Sequence, residues 1–305
     1  MKAATVAVIV VTWNSAEVLP GLLDSLERGL LGISWELTVA DNASADMTLD
    51  VVRSAVPSAR IVQTGYNAGY AAAINAALAG IDPCTAVLIL NPDIRLAEGC
   101  VATMLRELDT PGTGLVVPRL TGESGTLTHS LRREPAVLRA WGEALLGNRR
   151  AGRWPALGEL VTDGSAYATT TTADWATGAA LLVSWECVRA CGPWDESFFL
   201  YSEETEYALR ARDLGYLTRL APEASAVHLE GDSEVSPRLW TLLTLNKVRL
   251  FRRRHSLPAT ALFWTATLLR EGSRALLGHT RSRRAAAALL SPARLRTRPT
   301  AENLA

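Results

Sequence analysis

The feature that most constrains the fold is a repeated alternation of apolar runs and helix-like segments along the first part of the chain. The first run, TVAVIVVTW at 5–13, is apolar and β-branched almost throughout, which is typical of a strand buried on both faces of a sheet. The leucines of the next segment, 16–31, recur with helical spacing. The same order repeats from the strand-like runs WELTVADNAS, ARIVQTG and TAVLILNPD. Strands that alternate with helices predict right-handed βαβ units and an α/β fold with a mostly parallel central sheet.

The rest of the chain divides into an irregular middle and a helical end. Residues 118–175 are rich in turn-forming residues, and their pattern places no element with certainty. Strand and helix patterns return after this segment and lead to an apolar strand that reaches His228. We predict a catalytic α/β domain over 1–237 and a basic, amphipathic helical C-terminal extension over 238–305, which we expect to be mobile after about residue 290.

The charges are unevenly distributed, although the formal net charge is zero. Residues 238–305 hold 14 Lys/Arg and 2 Asp/Glu, a net of +12, whereas residues 1–237 hold 17 and 29, a net of −12. A basic amphipathic helix suits an anionic membrane surface. The alternative is an ordinary helical lid whose arginines are solvated. No recognition motif accompanies the charge, which argues against nucleic acid as a partner.

Cysteine usage and hydropathy indicate where such a chain would reside. The four cysteines form no CxxC pair, so we expect reduced thiols in the core. The apolar run at the start lacks the cleavage pattern of a signal peptide, and no stretch reaches the roughly 18 apolar residues that span a bilayer. We therefore expect a cytoplasmic protein, peripheral at the inner face of the cell membrane.

Polar side chains follow three of the predicted strands, at the point where each strand ends. Asn14 follows the first strand, Asp41 ends the second, and Asn91 and Asp93 follow the fourth. Because the carboxyl ends of parallel strands meet at one edge of the sheet, these side chains predict a crevice that binds a nucleotide. Taken alone, Asn14 is better explained as a cap of the next helix.

The tripeptide Asn91-Pro92-Asp93 carries a carboxylate directly out of an apolar strand. Pro92 cannot donate to a sheet ladder, so the strand must end there or reach an edge. The chain has neither GxxxxGK[ST] nor GxGxxG after the first strand, which disfavours two common phosphate cradles. A divalent cation on Asp93, Mg²⁺ or Mn²⁺, would hold a diphosphate in another way. The tripeptide is equally good turn material, and these residues alone do not decide between the two interpretations.

Seven segments occur in a recognisable order along residues 5–235: VIVVTWNS, VADNASADMT, GYNAGYAAAINAAL, LILNPD, TGAALLVS, WDESFFLYSEETEYALRARDLGY and AVHLEGDS. In this order they resemble the inverting GT-A glycosyltransferases of family 2, and especially bacterial rhamnosyltransferases. The resemblance implies a GT-A, or nucleotide-diphospho-sugar transferase, fold. It also implies transfer of a sugar, best L-rhamnose from dTDP-L-rhamnose, to a hydroxyl of a polyprenyl-diphosphate-linked sugar in cell-wall or polysaccharide assembly.

The resemblance also assigns roles to individual residues. It implies that NPD is this chain's metal motif, with Asp93 and His228 as ligands of Mg²⁺ or Mn²⁺, and that Glu204 is the catalytic base. The nucleotide sugar would contact Thr12, Asn14, Asp41, Asn67, Gly69, Asn91 and Asp93. The acceptor or sugar side would be formed by Asp174, Trp175, Gly178, Glu203 and Glu206.

Three positions depart from the pattern of the family. Asn91 replaces the first carboxylate of the metal motif, and Glu204 and Glu206 stand where aspartates are commoner. Without the resemblance, the acidic cluster would be a helix start favoured by the macrodipole, and His228 a structural histidine. Transfer from a nucleotide-diphosphate sugar needs a carboxylate that takes the acceptor proton and a cation that stabilises the leaving group.

Other functions remain as alternatives at this point. A related glycosyltransferase could use another nucleotide sugar and a soluble natural-product acceptor. A non-catalytic module that binds a nucleotide sugar would show affinity without turnover. A nucleotidyltransferase would normally carry a glycine-rich, basic loop near the first strand, and the sequence shows none.

Overall fold

The computed structural model describes residues 5–229 and 236–301. Residues 230–233 of the AVHLEGDS segment and the last four residues of the predicted extension lie outside this part of the chain. The strands are β1 (Thr5–Thr12), β2 (Ser34–Asp41), β3 (Arg60–Gln63), β4 (Ala86–Leu90), β5 (Ile94–Leu96), β6 (Thr113–Thr121), β7 (Leu131–Arg132), β8 (Thr171–Ala173), β9 (Trp175–Ala176), β10 (Ala180–Ser184) and β11 (Leu217–His228). The helices are α1 (Leu19–Gly29), α2 (Thr48–Ala55), α3 (Tyr70–Leu78), α4 (Cys100–Leu108), α5 (Val137–Leu146), α6 (Asn148–Ala151), α7 (Trp185–Cys191), α8 (Glu203–Asp213), α9 (Pro237–Arg254), α10 (Leu257–Leu276), α11 (Thr280–Leu289) and α12 (Pro292–Arg296).

The central sheet has the strand order β3-β2-β1-β4-β10-β6-β11-β5, and β8 pairs with β11 at the side. The four strands of the first βαβ units are parallel to one another, as the sequence predicts. β10 runs antiparallel between β4 and β6, whereas β11 returns parallel to β6. β7 and β9 form a separate antiparallel pair.

The position of β1 between two layers of helices explains why its sequence is apolar almost throughout. Val6, Val8 and Val10 pack in one layer with α1, α2 and α4. The residues between them pack in the other layer with α3, α7 and α8. Since successive side chains of a strand point to opposite faces, a sheet covered by helices on both sides needs apolar residues at every position.

The middle segment, 118–175, contains short elements that periodicity could not reveal. β7 and β9 have two residues each, β8 has three and α6 has four. Their place is set by pairing with distant strands, because β8 pairs with β11 and β7 with β9. A 3-10 turn at Gly164–Tyr167 lies in the same segment, and another at Glu196–Phe198 precedes α8.

The helical end packs on α5 through a third apolar cluster, to which α9, α10 and α11 contribute Val248, Phe251, Phe263 and Leu289. A buried ion network joins the same surfaces, because Lys247 Nζ lies 2.6 Å from Glu159 Oε2 and 3.2 Å from Glu143 Oε2. None of the described helices is long and apolar enough to cross a bilayer. The four cysteines are free thiols, as the sequence predicts.

Candidate active site

A cleft of about 1300 Å³ lies at the carboxyl ends of β1 and β4 and extends to α9 and α10. A second cavity of about 850 Å³ lies beside the amino-terminal halves of β1 and β2, away from the predicted residues. Parallel α/β sheets bind ligands at the carboxyl ends of their strands. The predicted residues that line the larger cleft are Thr12, Asn14, Asn67, Gly69, Asn91, Asp93, Trp175, Gly178, Glu203, Glu204 and His228.

The turn after β4 places Asp93 next to His228. The amide of Ile94 donates to the carbonyl of Asn91 across this turn, at 3.3 Å. β5 then pairs with the end of β11 so that His228 lies opposite Ile94. This register brings His228 Nε2 to 3.1 Å from Asp93 Oδ2, and Asp93 is only 8% exposed. Asn-Pro-Asp is therefore both a turn and the carrier of a side chain that lines the cleft.

The Asp93–His228 pair has the chemistry of a partial cation site. A carboxylate oxygen is a ligand that Mg²⁺ and Mn²⁺ prefer, and an imidazole is compatible with Mn²⁺. Within residues 5–229 and 236–301, no cluster of three or more His, Cys, Asp or Glu side chains could hold a metal ion. The pair would hold a cation only together with oxygens from substrate phosphates and water, as is usual for Mg²⁺. The residues fit a cation that is shared with a diphosphate.

A hydrogen-bond network connects the loop at 67–69 and the start of α3 to this turn. The hydroxyl of Tyr70 donates to Asn91 Oδ1 at 2.9 Å, and the amide of Tyr70 donates to the carbonyl of Phe199 at 2.7 Å. Gly69 has a φ of +92°, and a Cβ there would overlap the Phe199 carbonyl. Glycine is required because the two loops approach so closely. Burial raises the pKa of Tyr70, and the charges of Glu203, Glu204 and Asp93 raise it further.

The loop before α8 has a strained backbone, and a side chain of α9 holds it in place. Phe199, Tyr201 and Ser202 have φ values of +65°, +67° and +76°, a region that non-glycine residues rarely adopt. The side-chain amide of Asn246, on α9, donates to the carbonyls of Phe198, Leu200 and Tyr201 at 2.8, 3.0 and 3.1 Å. Strained backbone persists where surrounding structure determines it, and it is common at functional sites.

This loop presents two glutamates to the cleft. Glu203 is 2% exposed, and its Oε2 has no hydrogen-bond partner in the described chain. Burial raises the pKa of Glu203 well above its usual range, and the charge of Glu204 raises it further. Burial also raises the pKa of Glu204, but its own backbone amide and the Arg132 guanidinium oppose the rise. Glu204 is therefore the one that more readily stays ionised and accepts a proton.

Arg132 lines the cleft, and sequence reasoning did not identify it. Its guanidinium carbon lies 5.7 Å from the centre of a Trp175 ring, and its Nη1 donates to the carbonyl of Leu131 at 3.1 Å. Arg132 comes from β7, a strand of two residues in the segment whose pattern placed no element. Trp13 is a second such residue, because it follows β1 directly and is exposed at the cleft. The sequence feature that could have identified Trp13 is its position directly after a buried strand.

The structure places the Asp41 carboxylate under the cleft rather than on its surface. Asp41 is fully buried and accepts from Thr12 Oγ1 at 2.8 Å and from Ser44 Oγ at 2.5 Å. The next residue, Asn42, lines the cleft and donates to the carbonyl of Gly69 at 3.2 Å. Contact of Asp41 with the nucleotide sugar stays a prediction, and the observed bonds show that Asp41 orders the surrounding loops.

Asn14 connects the ends of β1 and β2 and caps no helix. Its backbone has a φ of +50°, and its Oδ1 accepts from the amide of Ala45 at 2.8 Å. α1 begins only at Leu19, and its N-cap residue, Val18, makes no side-chain cap bond. Asn67 Oδ1 accepts from the amide of Gly69 at 3.2 Å and shapes the neighbouring loop.

Two residues of the predicted acceptor side do not line the cleft. Asp174 accepts from Arg212 Nη1 at 3.0 Å and from the amide of Glu134 at 2.7 Å. Glu206 is paired with Arg210 one turn along α8, at 2.8 Å. By contrast, Gly178 lies in van der Waals range of Glu204, which a Cβ at this glycine would contact at 3.4 Å. Trp175 also lines the cleft, and its Nε1 donates to the carbonyl of Arg133.

The fold and this site define a glycosyltransferase, and comparison with known proteins gives its family. Residues 7–170 match the family described as Glycosyl transferase family 2. The matched residues make up more than half of the chain, which therefore belongs to this family.

One curated relative narrows the resemblance further. The chain is 26% identical over 227 residues to the N-acetylglucosaminyl-diphospho-decaprenol L-rhamnosyltransferase of Mycobacterium tuberculosis, covering 68% of this chain and 73% of that protein. The chain is thus rhamnosyltransferase-like, as the order of its motifs predicts.

Solved structures confirm the GT-A fold. The mannosyltransferase PcManGT from Pyrobaculum calidifontis, in complex with GDP-Man and Mn²⁺, matches with a TM-score of 0.58 and 18% identity over 95% of this chain and 84% of that one. GalNAc-T7, with UDP, GalNAc and Mn²⁺, matches with a TM-score of 0.56 and 14% identity over 82% of this chain. The match covers 48% of the GalNAc-T7 chain, so this chain spans about half of its length.

Proposed function

We propose that this protein is an inverting glycosyltransferase that moves L-rhamnose from dTDP-L-rhamnose to a hydroxyl of a polyprenyl-diphosphate-linked sugar. The observation that carries the proposal is that Glu204 and the Asp93–His228 pair, far apart in sequence, line one cleft. The name of the mycobacterial relative supports the choice of sugar and of a lipid-linked acceptor. A role in cell-wall or polysaccharide assembly follows from that acceptor.

The reaction would use the cleft residues as follows. Glu204 accepts the proton of the attacking acceptor hydroxyl, a contribution of about 10²–10⁴-fold for a positioned base. Asp93 and His228 would bind Mg²⁺ or Mn²⁺, which stabilises the charge that grows on the leaving diphosphate. Attack from the face opposite the diphosphate inverts the anomeric carbon in one displacement. Burial raises the pKa of Glu203, and the charge of Glu204 raises it further, which favours the neutral form of Glu203 beside Glu204.

Hydrogen bonds within the protein hold the donor side of the cleft in place. Asp41 connects the ends of β1 and β2 through its bonds to Thr12 and Ser44. Asn91 is held by Tyr70, which also bonds the loop that precedes Glu204. Groups that are already positioned need little reorganisation during the reaction, which favours catalysis.

The helical end supports a position at a membrane surface. Leu262, Leu269 and Leu276 are exposed on α10 at intervals of seven residues, so they share one side of the helix. Leu138 and Leu145 are exposed in the same way on α5, which packs against α10. With the basic charge of the extension, these leucines suit the inner face of a membrane that carries anionic lipids.

A panel of nucleotide sugars tests the proposed donor. The thermal unfolding midpoint is measured with dTDP-, UDP- and GDP-sugars, each with Mg²⁺, Mn²⁺ or EDTA. We expect dTDP-L-rhamnose to give the largest rise, because a ligand that binds only the folded state stabilises it. The rise should need the cation and should disappear in Asp93→Ala. A larger cation-dependent rise with another nucleotide sugar would contradict the choice of donor.

Product analysis tests the proposed acceptor. N-Acetylglucosamine linked through diphosphate to a short prenyl chain is compared with octyl N-acetylglucosaminide, which lacks the diphosphate. Transfer to the first compound, with inverted configuration, is expected. Transfer to soluble sugars alone would favour the natural-product alternative.

A further inference from the structure

The wall that α9 and α10 add to the cleft carries arginines near one tryptophan, and α11 adds a further arginine behind it. We call this group the Arg270 cluster, and its members are Arg238, Trp240, Arg270, Arg274 and Arg281. The guanidinium carbons of Arg270 and Arg281 lie 5.7 and 4.7 Å from the centre of a Trp240 ring. Arg238, Trp240 and Arg270 line the cleft directly.

Arg270 is a buried cation with unused hydrogen-bonding capacity. It is 9% exposed, and its Nε donates to no acceptor in the described part of the chain. Among the described residues, the nearest carboxylate oxygen is Glu271 Oε1, which lies 3.7 Å from Arg270 Nη1, beyond a good hydrogen bond. A buried charge is costly unless it is paired and hydrogen-bonded, so this guanidinium favours an anion in the cleft.

The carboxylates next to Arg270 form their hydrogen bonds with other donors. Glu271 Oε2 accepts from Trp240 Nε1 at 2.8 Å, whereas its Oε1 has no hydrogen-bond partner in the described chain. Glu143, which faces Arg270 from α5, accepts from Lys247 at 3.2 Å and from the amide of Glu159 at 2.9 Å. Glu159 is itself paired with Lys247. These acidic groups therefore leave donors of the arginines available to a ligand.

Positive charge is in local excess around this wall. Burial lowers the pKa of Arg274, and the charges of Arg270 and Arg281 lower it further against the opposing effect of Glu271. Like charges that are held together are relieved by an anion with several oxygens, and arginine forks match phosphate geometry.

Apolar side chains lie beside these cations. Leu239, Leu243 and Leu250 line the same cleft from α9, the helix that carries Arg238 and Trp240. A ligand for this wall combines a polyanionic group with a hydrocarbon chain. The donor phosphates, by contrast, belong at Asp93 and His228 in the proposed function.

We propose that the Arg270 cluster is the acceptor subsite, in which the arginines bind the diphosphate of a prenyl-diphosphate-linked acceptor. Leu239 and Leu243 contact the first prenyl units. This inference rests on the proposed function, which supplies a lipid-linked acceptor, and it assigns that acceptor's diphosphate to particular residues.

Binding of farnesyl diphosphate in EDTA tests the subsite without a sugar donor or turnover. Calorimetric titration is carried out on the wild type, Arg270→Gln and Arg284→Gln. Arg284 is exposed on α11 and carries the same charge, so it is the matched control. We expect Arg270→Gln to raise Kd about tenfold or more, and Arg284→Gln to change it by less than about twofold. Binding of dTDP with Mg²⁺ should be unchanged in both variants.

Several results would overturn the subsite. They are the absence of farnesyl diphosphate binding to the wild type, equal weakening in Arg270→Gln and Arg284→Gln, and unchanged affinity in Arg270→Gln. If Arg270→Gln weakened the binding of dTDP as strongly as the binding of farnesyl diphosphate, the arginines would belong to the donor site instead. If Arg270→Gln does not fold, the exposed Arg238→Gln replaces it, with an expected rise in Kd of about threefold or more. An unchanged Kd in Arg238→Gln would then count against the proposal.

The outcome separates this inference from the proposed function. Arg270-dependent binding of farnesyl diphosphate in a protein that transfers no sugar would contradict the proposed function alone. Transfer to a prenyl-diphosphate-linked sugar with an unchanged acceptor KM in Arg270→Gln would contradict the subsite alone.

Discussion

Glu203 and Glu204 are adjacent in sequence and differ in what their surroundings allow. Glu203 is enclosed and has an oxygen without a partner in the described chain, so its neutral form is favoured. Glu204 lines the cleft beside Arg132, whose charge favours the ionised form. Neighbouring carboxyl groups whose environments separate their pKa values can take different roles. We therefore assign the base to Glu204 and a neutral supporting role to Glu203.

Glu204→Gln should bind the donor and fail to turn over. Glutamine keeps the shape of the side chain but cannot accept the proton, so we expect kcat to fall by about 10²–10⁴-fold. Donor Kd, measured by titration with Mg²⁺, should change by less than about threefold. Glu206→Gln is the control, because Glu206 is paired with Arg210 away from the cleft. Full activity in Glu204→Gln, with loss in Glu203→Gln, would move the base to Glu203.

Glu203→Gln should stabilise the protein at alkaline pH. The pKa of Glu203 is raised in the folded state, so folding binds a proton and stability falls as pH rises through the interval above the unfolded value of 4.5. Glutamine imitates the neutral carboxyl and removes this loss. The unfolding midpoint of Glu203→Gln should exceed that of the wild type at pH 8, and the gain should shrink towards pH 4.5. An equal gain at both pH values, or a gain in the exposed Glu223→Gln, would contradict this explanation.

Helix α9 acts on the active site as well as on stability. Asn246 is fully buried and bonds three carbonyls of the strained loop at 198–201. Arg249 Nη1 donates to Asn246 Oδ1 at 2.6 Å, which orients the amide so that its NH₂ faces the loop. Since this loop leads directly into Glu203 and Glu204, the helical end of the chain positions the proposed base.

Asn246→Asp should lower both stability and kcat. The carboxylate has almost the same size but cannot donate to three carbonyls, and each lost bond costs about 0.5–1.5 kcal/mol. We expect the unfolding midpoint to fall and kcat to drop about tenfold or more, with donor Kd nearly unchanged.

The control for Asn246→Asp is Asn75→Asp. It removes a comparable side-chain bond to the carbonyl of Trp194, at 2.9 Å and away from the cleft. It should lower the unfolding midpoint and leave kcat close to wild type. Equal kcat values in the two variants would show that α9 stabilises the protein without positioning the base.

In the folded protein, the basic C-terminal helices lie at the cleft formed by the acidic first part of the chain. Both parts line this one cleft, and Arg238 and Arg270 lie on the wall formed by α9 and α10. The exposed leucines of α10 and α5 add an apolar surface to the same helical layer. A lipid-linked acceptor would meet both features near the membrane surface.

Vesicle sedimentation tests whether the exposed leucines of α10 face a membrane. The wild type should sediment with vesicles that contain phosphatidylglycerol, and less with phosphatidylcholine or at high salt. Leu262→Ser with Leu269→Ser should reduce binding about tenfold or more, since full burial of a leucine contributes about 1.5–3 kcal/mol.

The matched control for the α10 leucines uses the α/β domain. Leu31→Ser with Leu214→Ser changes two leucines that are similarly exposed, and it should leave binding unchanged. Equal loss in both double variants, or no binding of the wild type to anionic vesicles, would contradict the proposed surface.

Local patterns were sufficient to predict the first half of the sheet and several of the residues that line the cleft. The apolar run of β1 and the polar residues after β1, β2 and β4 predict both a parallel sheet and a crevice at one edge. Asp93 and Glu204 were identified because they lie in motifs of a family. The boundaries 1–237 and 238–305 stay predictions, although α9 begins at Pro237.

The strand–helix alternation, the polar strand ends and the acidic start of α8 can be predicted from neighbours along the chain. Contacts made in the folded protein show that Asp41 lies under the cleft, that Glu206 pairs away from it, and that Arg132 and Arg270 line it. Those outcomes depend on side chains that meet across long sequence separations. Burial and pairing there are set by packing, which no local periodicity records.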